Sequence, residues 1–180
     1  MRRLVALLAL VLAPAMAQSG YVGGHIGPFG LSIISSSGFN PPLRDSFHSV
    51  NGGIYWGVVL GPGMPEVRLG VDFTIVFLAV IADINADVLL PLSPPGTQVQ
   101  PYLGGGANVW FLGDFIGFVG NLIGSALHAT FGVRTAIRGT SLAAFVEVQP
   151  GYASSFGSFG GNASVNAFFY YVKLGFNYGL

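Results

Sequence analysis

EVRLGVDFT, residues 66–74, decides the reading of this chain. Glu66, Arg68, Gly70, Asp72 and Thr74 fall on one parity, and Val67, Leu69, Val71 and Phe73 on the other. A period of two places successive side chains on opposite faces of a strand, one polar and one apolar. ADINADVLL, residues 82–90, repeats the pattern, with Asp83, Asn85 and Asp87 alternating with Ile84, Ala86 and Val88. Asp-x-Asn-x-Asp also opens an EF-hand calcium loop, which requires Gly at its sixth position and Glu at its twelfth. Val88 and Pro94 stand there instead, so the strand reading is kept.

The alternation extends outward in both directions. LHATFGVRTAI sets His128, Thr130, Gly132 and Arg134 against Leu127, Ala129, Phe131 and Val133. VQPYLGGGANVWF sets Gln100, Tyr102, Asn108 and Trp110 against Val99, Leu103, Ala107 and Val109. Glu147 and Gln149 oppose Val146 and Val148, and Lys173, Gly175 and Asn177 oppose Val172, Leu174, Phe176 and Tyr178. GGIYWGVVL alternates more weakly, and GYVGGHIGPFG, interrupted by Pro28, is weakest. Eight strands are predicted near 19–34, 50–60, 64–77, 79–91, 98–112, 124–137, 141–153 and 164–180. GPGMP, SPPGTQ and RGTS supply turn chemistry after strands two, four and six. Longer links follow strands one, five and seven, the fifth carrying Asp114; the link at 77–79 is tight and lacks Gly or Asn.

Composition selects where such strands live. Only 8% of the 180 residues are charged, against a usual share of about 25%. A soluble domain needs more surface charge than that. Cysteine is absent, which excludes disulfides, thiolate metal sites and Cys nucleophiles. Formal net charge is zero, which argues against nucleic acid. The N-terminus, MRRLVALLALVLAPAMAQSG, has a basic start, a short apolar core and Ala15-Met16-Ala17. That is the form of a secretory signal peptide, with cleavage expected after Ala17 and a mature chain of residues 18–180. An uncleaved anchor helix is the alternative, but spanning takes roughly 20 apolar residues.

In a membrane the backbone is satisfied only by helices or by a closed barrel. Phe73–Ala82 is too short for a helix between Asp72 and Asp83, and Leu103–Leu127 is broken by Asp114 and crowded with Gly. A closed barrel suits the pattern. Its polar faces carry Gly53, Gly57, Gly70, Gly104, Gly106, Gly132 and Gly175, and Gly suits a crowded interior. No charge lies on a predicted apolar face: Arg44, Asp45 and Asp114 fall in links and Arg138 in a turn. Glu66, Arg68, Asp72, Asp83, Asp87, Arg134, Glu147 and Lys173 are therefore assigned to the lumen, as a charge network in which acids and bases interlock. A tight link after strand three brings Arg68 opposite or diagonal to Asp87. A soluble lipocalin-like carrier, apolar inside, is the inverted alternative.

These features resemble the small eight-stranded outer-membrane barrels, such as the OmpA transmembrane domain, OmpX and OmpW. The resemblance covers the whole mature chain and implies an all-β, antiparallel, up-and-down transmembrane barrel. It implies a cell outer-membrane location with both termini periplasmic, and outer-membrane lipid and the barrel-assembly machinery as partners. It also implies a C-terminal insertion signal, carried here by Phe176, Tyr178 and Leu180 of YYVKLGFNYGL, with Leu where members commonly end in Phe. Phe77 and Phe111 on one side and Tyr178 on the other are candidates for interfacial aromatic belts.

For function, a structural envelope barrel with a packed polar lumen and no catalytic residues, cofactor or metal is the leading expectation, as a monomer. A narrow channel or conduit for small or apolar solutes is the alternative. A lipid-modifying enzyme would draw on His128-Ala-Thr130 with Glu147, but Thr replaces the Ser such enzymes use and His128 reads as lumen-facing. Surface recognition through SSSGFNPPLRDSFHS and SSFGSFGGNA is a further class.

Overall fold

The computed structural model describes residues 20–38, 45–76, 79–94, 96–114, 121–159 and 163–179. Residues 1–17, expected to be a signal peptide, and Arg44, Phe77 and Leu180 lie outside them. The strands are β1 (Gly20–Ser37), β2 (Ser46–Val59), β3 (Glu66–Val76), β4 (Ala79–Pro91), β5 (Val99–Asp114), β6 (Asn121–Ala136), β7 (Leu142–Phe159) and β8 (Ser164–Gly179). Each pairs antiparallel with its chain neighbours, and β1 closes on β8. No helix long and apolar enough to cross a membrane occurs among the described residues, which says nothing against a barrel.

Closure at one end is made by the three short turns. Gly63, Gly96 and Gly139 take φ of 71°, 83° and 77°, a region that L side chains avoid. In the last turn, Thr140 N–H donates to Ile137 O and Ile137 N–H to Leu142 O. This turn end also holds the first residues of β1 and the last of β8, since Tyr21 pairs with Gly179. The opposite, loop end carries the other links. There Val76 pairs with Ala79, leaving a two-residue connection.

The structure corrects the predicted boundaries at the loop end. β2 begins at Ser46, β6 at Asn121, and β7 runs to Phe159, absorbing part of each link expected there. Asp114 is the last residue of β5, paired with Ala79, rather than part of a link. The physical reason is that backbone ladders continue through Ser and Gly whatever their side chains do. An 18-residue strand such as β7 extends about 59 Å and rises roughly 45 Å when tilted ~40°, against an apolar band about 25 Å tall. The strands therefore outrun a bilayer.

The polarity of the alternation inverts along the barrel. Over the middle and turn end the lumen is polar, and the outer face carries exposed Ile26, Ile54, Leu69, Ile84, Val109, Leu127, Phe131 and Leu174. Toward the loop end the lumen is apolar, filled by Phe29, Trp110, Leu122, Ala126, Ala153, Phe169 and Tyr171 with Leu31, Val76 and Ile81 against them. On β1, β2, β7 and β8 the outer face there carries polar pairs beside exposed Phe168, whereas on β3 and β5 it stays apolar with Ile75 and Phe111. Ser46 Oγ donates to Ser32 Oγ, Asn166 Nδ2 to Ser35 Oγ and Tyr152 OH to Asn166 Oδ1, and Ser37 bonds Ser164. Apolar inside and polar outside is how a barrel wall meets water.

The inward glycines have a specific use. Gly57 lies opposite Tyr21, Gly23 opposite Tyr55, Gly132 opposite Tyr102, Gly124 opposite Trp110, Gly175 opposite Phe145 and Gly151 opposite Phe169. Each ring lies across its glycine, and a Cβ added at Gly132 would stand 2.3 Å from the Tyr102 ring. An eight-stranded lumen is only wide enough for side chains, and removing the opposing Cβ lets a ring lie flat against the wall.

Candidate functional site

The lumen charges are the one concentration of chemically competent side chains in the described residues, and they form three tiers. β3 sets the order, because its inward parity presents Glu66, Arg68 and Asp72 from the turn end upward. At the turn end Glu66 receives Arg134 Nη1 at 2.6 Å and the Tyr21 hydroxyl, while Arg134 Nε donates to Gln100 at 3.0 Å. A cavity of about 450 Å³ opens beside this tier, lined by Thr97, Gln98, Gln100, Arg134 and Arg138 among others. It lies at the turn-end mouth of the lumen, with Arg134 in its wall.

The middle tier centres on Arg68. Arg68 and Asp87 are directly opposite across β3 and β4, with Arg68 Nε 2.9 Å from Asp87 Oδ2. The far side of the guanidinium makes a two-pronged contact with Glu147 on β7, across the lumen, at 3.0 and 2.8 Å. Tyr102 OH and Gln149 Nε2 complete Glu147 at 2.9 and 2.8 Å. His128 Nε2 lies 2.6 Å from Asp87 Oδ1. The guanidinium also stands over the Tyr55 ring at 4.8 Å. Every charged member is at least nine-tenths buried. Fixed donors on both carboxylates are what makes such burial tolerable, and the planar fork of Arg suits two carboxylates at once.

In the third tier Lys173 Nζ donates to Asp72 Oδ2 at 2.7 Å. His25 Nε2 bonds Asn51 Oδ1 at 2.9 Å, and Asn51 Nδ2 donates to Thr74 Oγ1 at 3.0 Å. Asp83 stands opposite Asp72 across the strand pair. It receives the Tyr171 hydroxyl at 3.2 Å. Above it the apolar plug begins.

All eight charges assigned to the lumen thus face inward; seven are ion-paired, and Asp83 is held by the Tyr171 hydroxyl instead. Phe176 and Tyr178 lie on the outer face of β8, both exposed. His25, His128, Asn51 and Gln149 belong to the network as well, and parity alone places His128 and Gln149 there. His25 was hidden because β1 has little alternation. The arrangement is poorly suited to catalysis on lipid. His128 is bound to Asp87, Glu147 is engaged by Arg68, and Thr130 is wholly buried. No group of three or more His, Cys, Asp or Glu side chains that could hold a metal ion occurs among the described residues.

A closed eight-stranded wall, ion-paired within and apolar without, has counterparts among solved structures. The fold is that of the small outer-membrane barrels. Neisserial surface protein A shares 15% identity over 88% of this chain and 96% of its own, with a TM-score of 0.63. The N-terminal β-barrel domain of Pseudomonas aeruginosa OprF shares 13% identity over 91% of this chain and 98% of its own, at 0.59. At such identities the likeness is one of fold. No family model and no curated protein matches the chain.

Proposed function

We propose that this small barrel is an integral outer-membrane protein with a structural role in the envelope, and that its lumen is sealed. The observation that carries the reading is the closed ion-pair ladder. Eight charged side chains from five strands, five acids and three bases, are drawn together by ion pairs inside a wall whose outer mid-face has no charge. A pore needs mobile water along its axis. Here Arg68 and Glu147 bridge the lumen, and the plug around Phe29, Trp110 and Leu122 fills the section beyond them.

On this reading residues 1–17 direct export and are removed, both termini are periplasmic, and the long links face outward. Lipid and the barrel-assembly machinery are the partners, the latter reading the exposed Phe176 and Tyr178 of the last strand together with Leu180. The protein works as a monomer and catalyses nothing. The test is conductance of the folded protein in planar bilayers, alongside its gel mobility with and without boiling. The expected result is a heat-dependent mobility shift with no discrete current steps. Reproducible single-channel steps overturn the sealed lumen in favour of a narrow channel. Solubility without detergent and no shift overturn the membrane assignment itself.

A further inference from the structure

Two features of the turn end play no part in sealing the lumen, and they adjoin at the β6–β7 turn. The first is the cavity at the mouth. Arg134, Arg138, Gln98 and Gln100 line it, and no acid is among its lining residues. Arg134 Nε donates to Gln100 Oε1 and Arg138 Nη2 to Gln98 Oε1, each at 3.0 Å. Both amides thus give their acceptor to a guanidinium and keep Nε2 as a donor. No described residue accepts from either Nε2, from Arg134 Nη2, or from Arg138 Nε and Nη1. Glu66 balances Arg134, whereas Arg138 has no ion pair among the described residues. The side chains of the mouth therefore offer spare donors and one surplus positive charge.

The second feature is a groove of about 710 Å³ on the outer wall, within the roughly 300–1,000 Å³ of small-molecule sites. Its floor includes Gly24, which pairs with Ile54 on one side and Phe176 on the other. Both of those side chains are exposed, and glycine leaves the gap between them unfilled. Trp56 and Tyr178 flank the groove on the turn side, each paired with Val22. Leu142 also lines it and pairs with Tyr178. The next residue along β7, Ala143, lines the cavity instead. Ile137 N–H donates to Leu142 O, closing the turn that bears Arg138. One strand end thus separates an apolar groove outside from a cationic mouth inside.

We propose that this corner of the barrel binds one phospholipid, with its phosphodiester on Arg138 and Arg134 and an acyl chain across Gly24. The inference rests on the outer-membrane reading, because only a bilayer brings acyl chains to the groove. A phosphodiester carries a single negative charge, which matches the surplus, and its oxygens suit several N–H donors at once. Trp56 and Tyr178 beside the groove are the residue types that gather at headgroup level.

The test uses the folded protein in detergent, its barrel state established first by the heat-dependent gel shift. Absence of that shift counts against the membrane reading rather than the lipid site. The probe is phosphatidylglycerol brominated on its acyl chains, which quenches tryptophan on contact. Trp56 lines the groove, whereas Trp110 is buried in the loop-end plug and serves as the unquenched reference. Saturable quenching is expected, weaker with brominated diacylglycerol and lost in Trp56→Phe. Arg138→Gln, at an exposed position, is expected to fold normally and to weaken binding about tenfold, the scale of one charge-assisted hydrogen bond. Gly24→Leu is expected to block the groove; a Cβ there meets nothing nearer than 3.4 Å. Equal quenching by the two lipids, or an unchanged midpoint in Arg138→Gln, overturns the proposal. Binding of inorganic phosphate that Arg138→Gln weakens, with no saturable quenching by the brominated lipid, overturns the lipid as occupant and leaves a free phosphate at the arginines.

Discussion

Replacing Arg68 with methionine removes the cation at the crossing point of the lumen while keeping most of its length. In the wild type this side chain serves two carboxylates through Nε, Nη1 and Nη2, with the four contacts between 2.8 and 3.0 Å. Removing one partner of a buried pair costs about 3–5 kcal/mol, because the remaining charge is left without compensation. Donors survive on both acids here: His128 on Asp87, and Tyr102 and Gln149 on Glu147. These keep the expected loss near the lower end, about 3 kcal/mol, or roughly a hundredfold in the folded-to-unfolded ratio. The assay is urea unfolding in lipid vesicles, read by tryptophan fluorescence and by the fraction of heat-modifiable protein on gels. Adding Glu147→Gln to Arg68→Met removes one stranded charge, and the double variant is expected to regain much of the loss. A loss below about 1 kcal/mol for Arg68→Met would refute the idea that the ion-pair ladder holds the lumen closed, since that is the scale of an exposed pair.

Two further substitutions probe the wall. Ile84, exposed at mid-strand on β4, faces hydrocarbon if the chain is a membrane barrel. Ile84→Arg is then expected to cost about 2–4 kcal/mol in a bilayer, whereas an unchanged unfolding midpoint would place that face in water. Gly132→Ala sets a methyl 2.3 Å from the Tyr102 ring and displaces the hydroxyl that bonds Glu147. A loss of about 1–3 kcal/mol is expected from overpacking, and Gly132→Ala combined with Tyr102→Leu should recover part of it. Failure of the second change to rescue the first would count against ring-over-glycine packing.

The sequence by itself determined the strands of the membrane-level barrel and the direction of every charged side chain within it. Period two is a local property: once Val67 and Leu69 face lipid, Glu66 and Arg68 must face the other way. It also brought Arg68 close to Asp87, because a tight link fixes hairpin register. The tertiary structure decided what lies across the lumen. Arg68 meets Glu147 from β7, and Lys173 from β8 meets Asp72, at sequence separations of 79 and 101 residues. Those meetings depend on barrel closure and stagger, which no local pattern encodes. The same closure assigned six inward glycines their rings, left Asp83 without a base, and revealed the loop-end strands. On β1, β2, β7 and β8 the alternation there survives with its polarity reversed, the pattern expected of a wall that has passed from lipid into water.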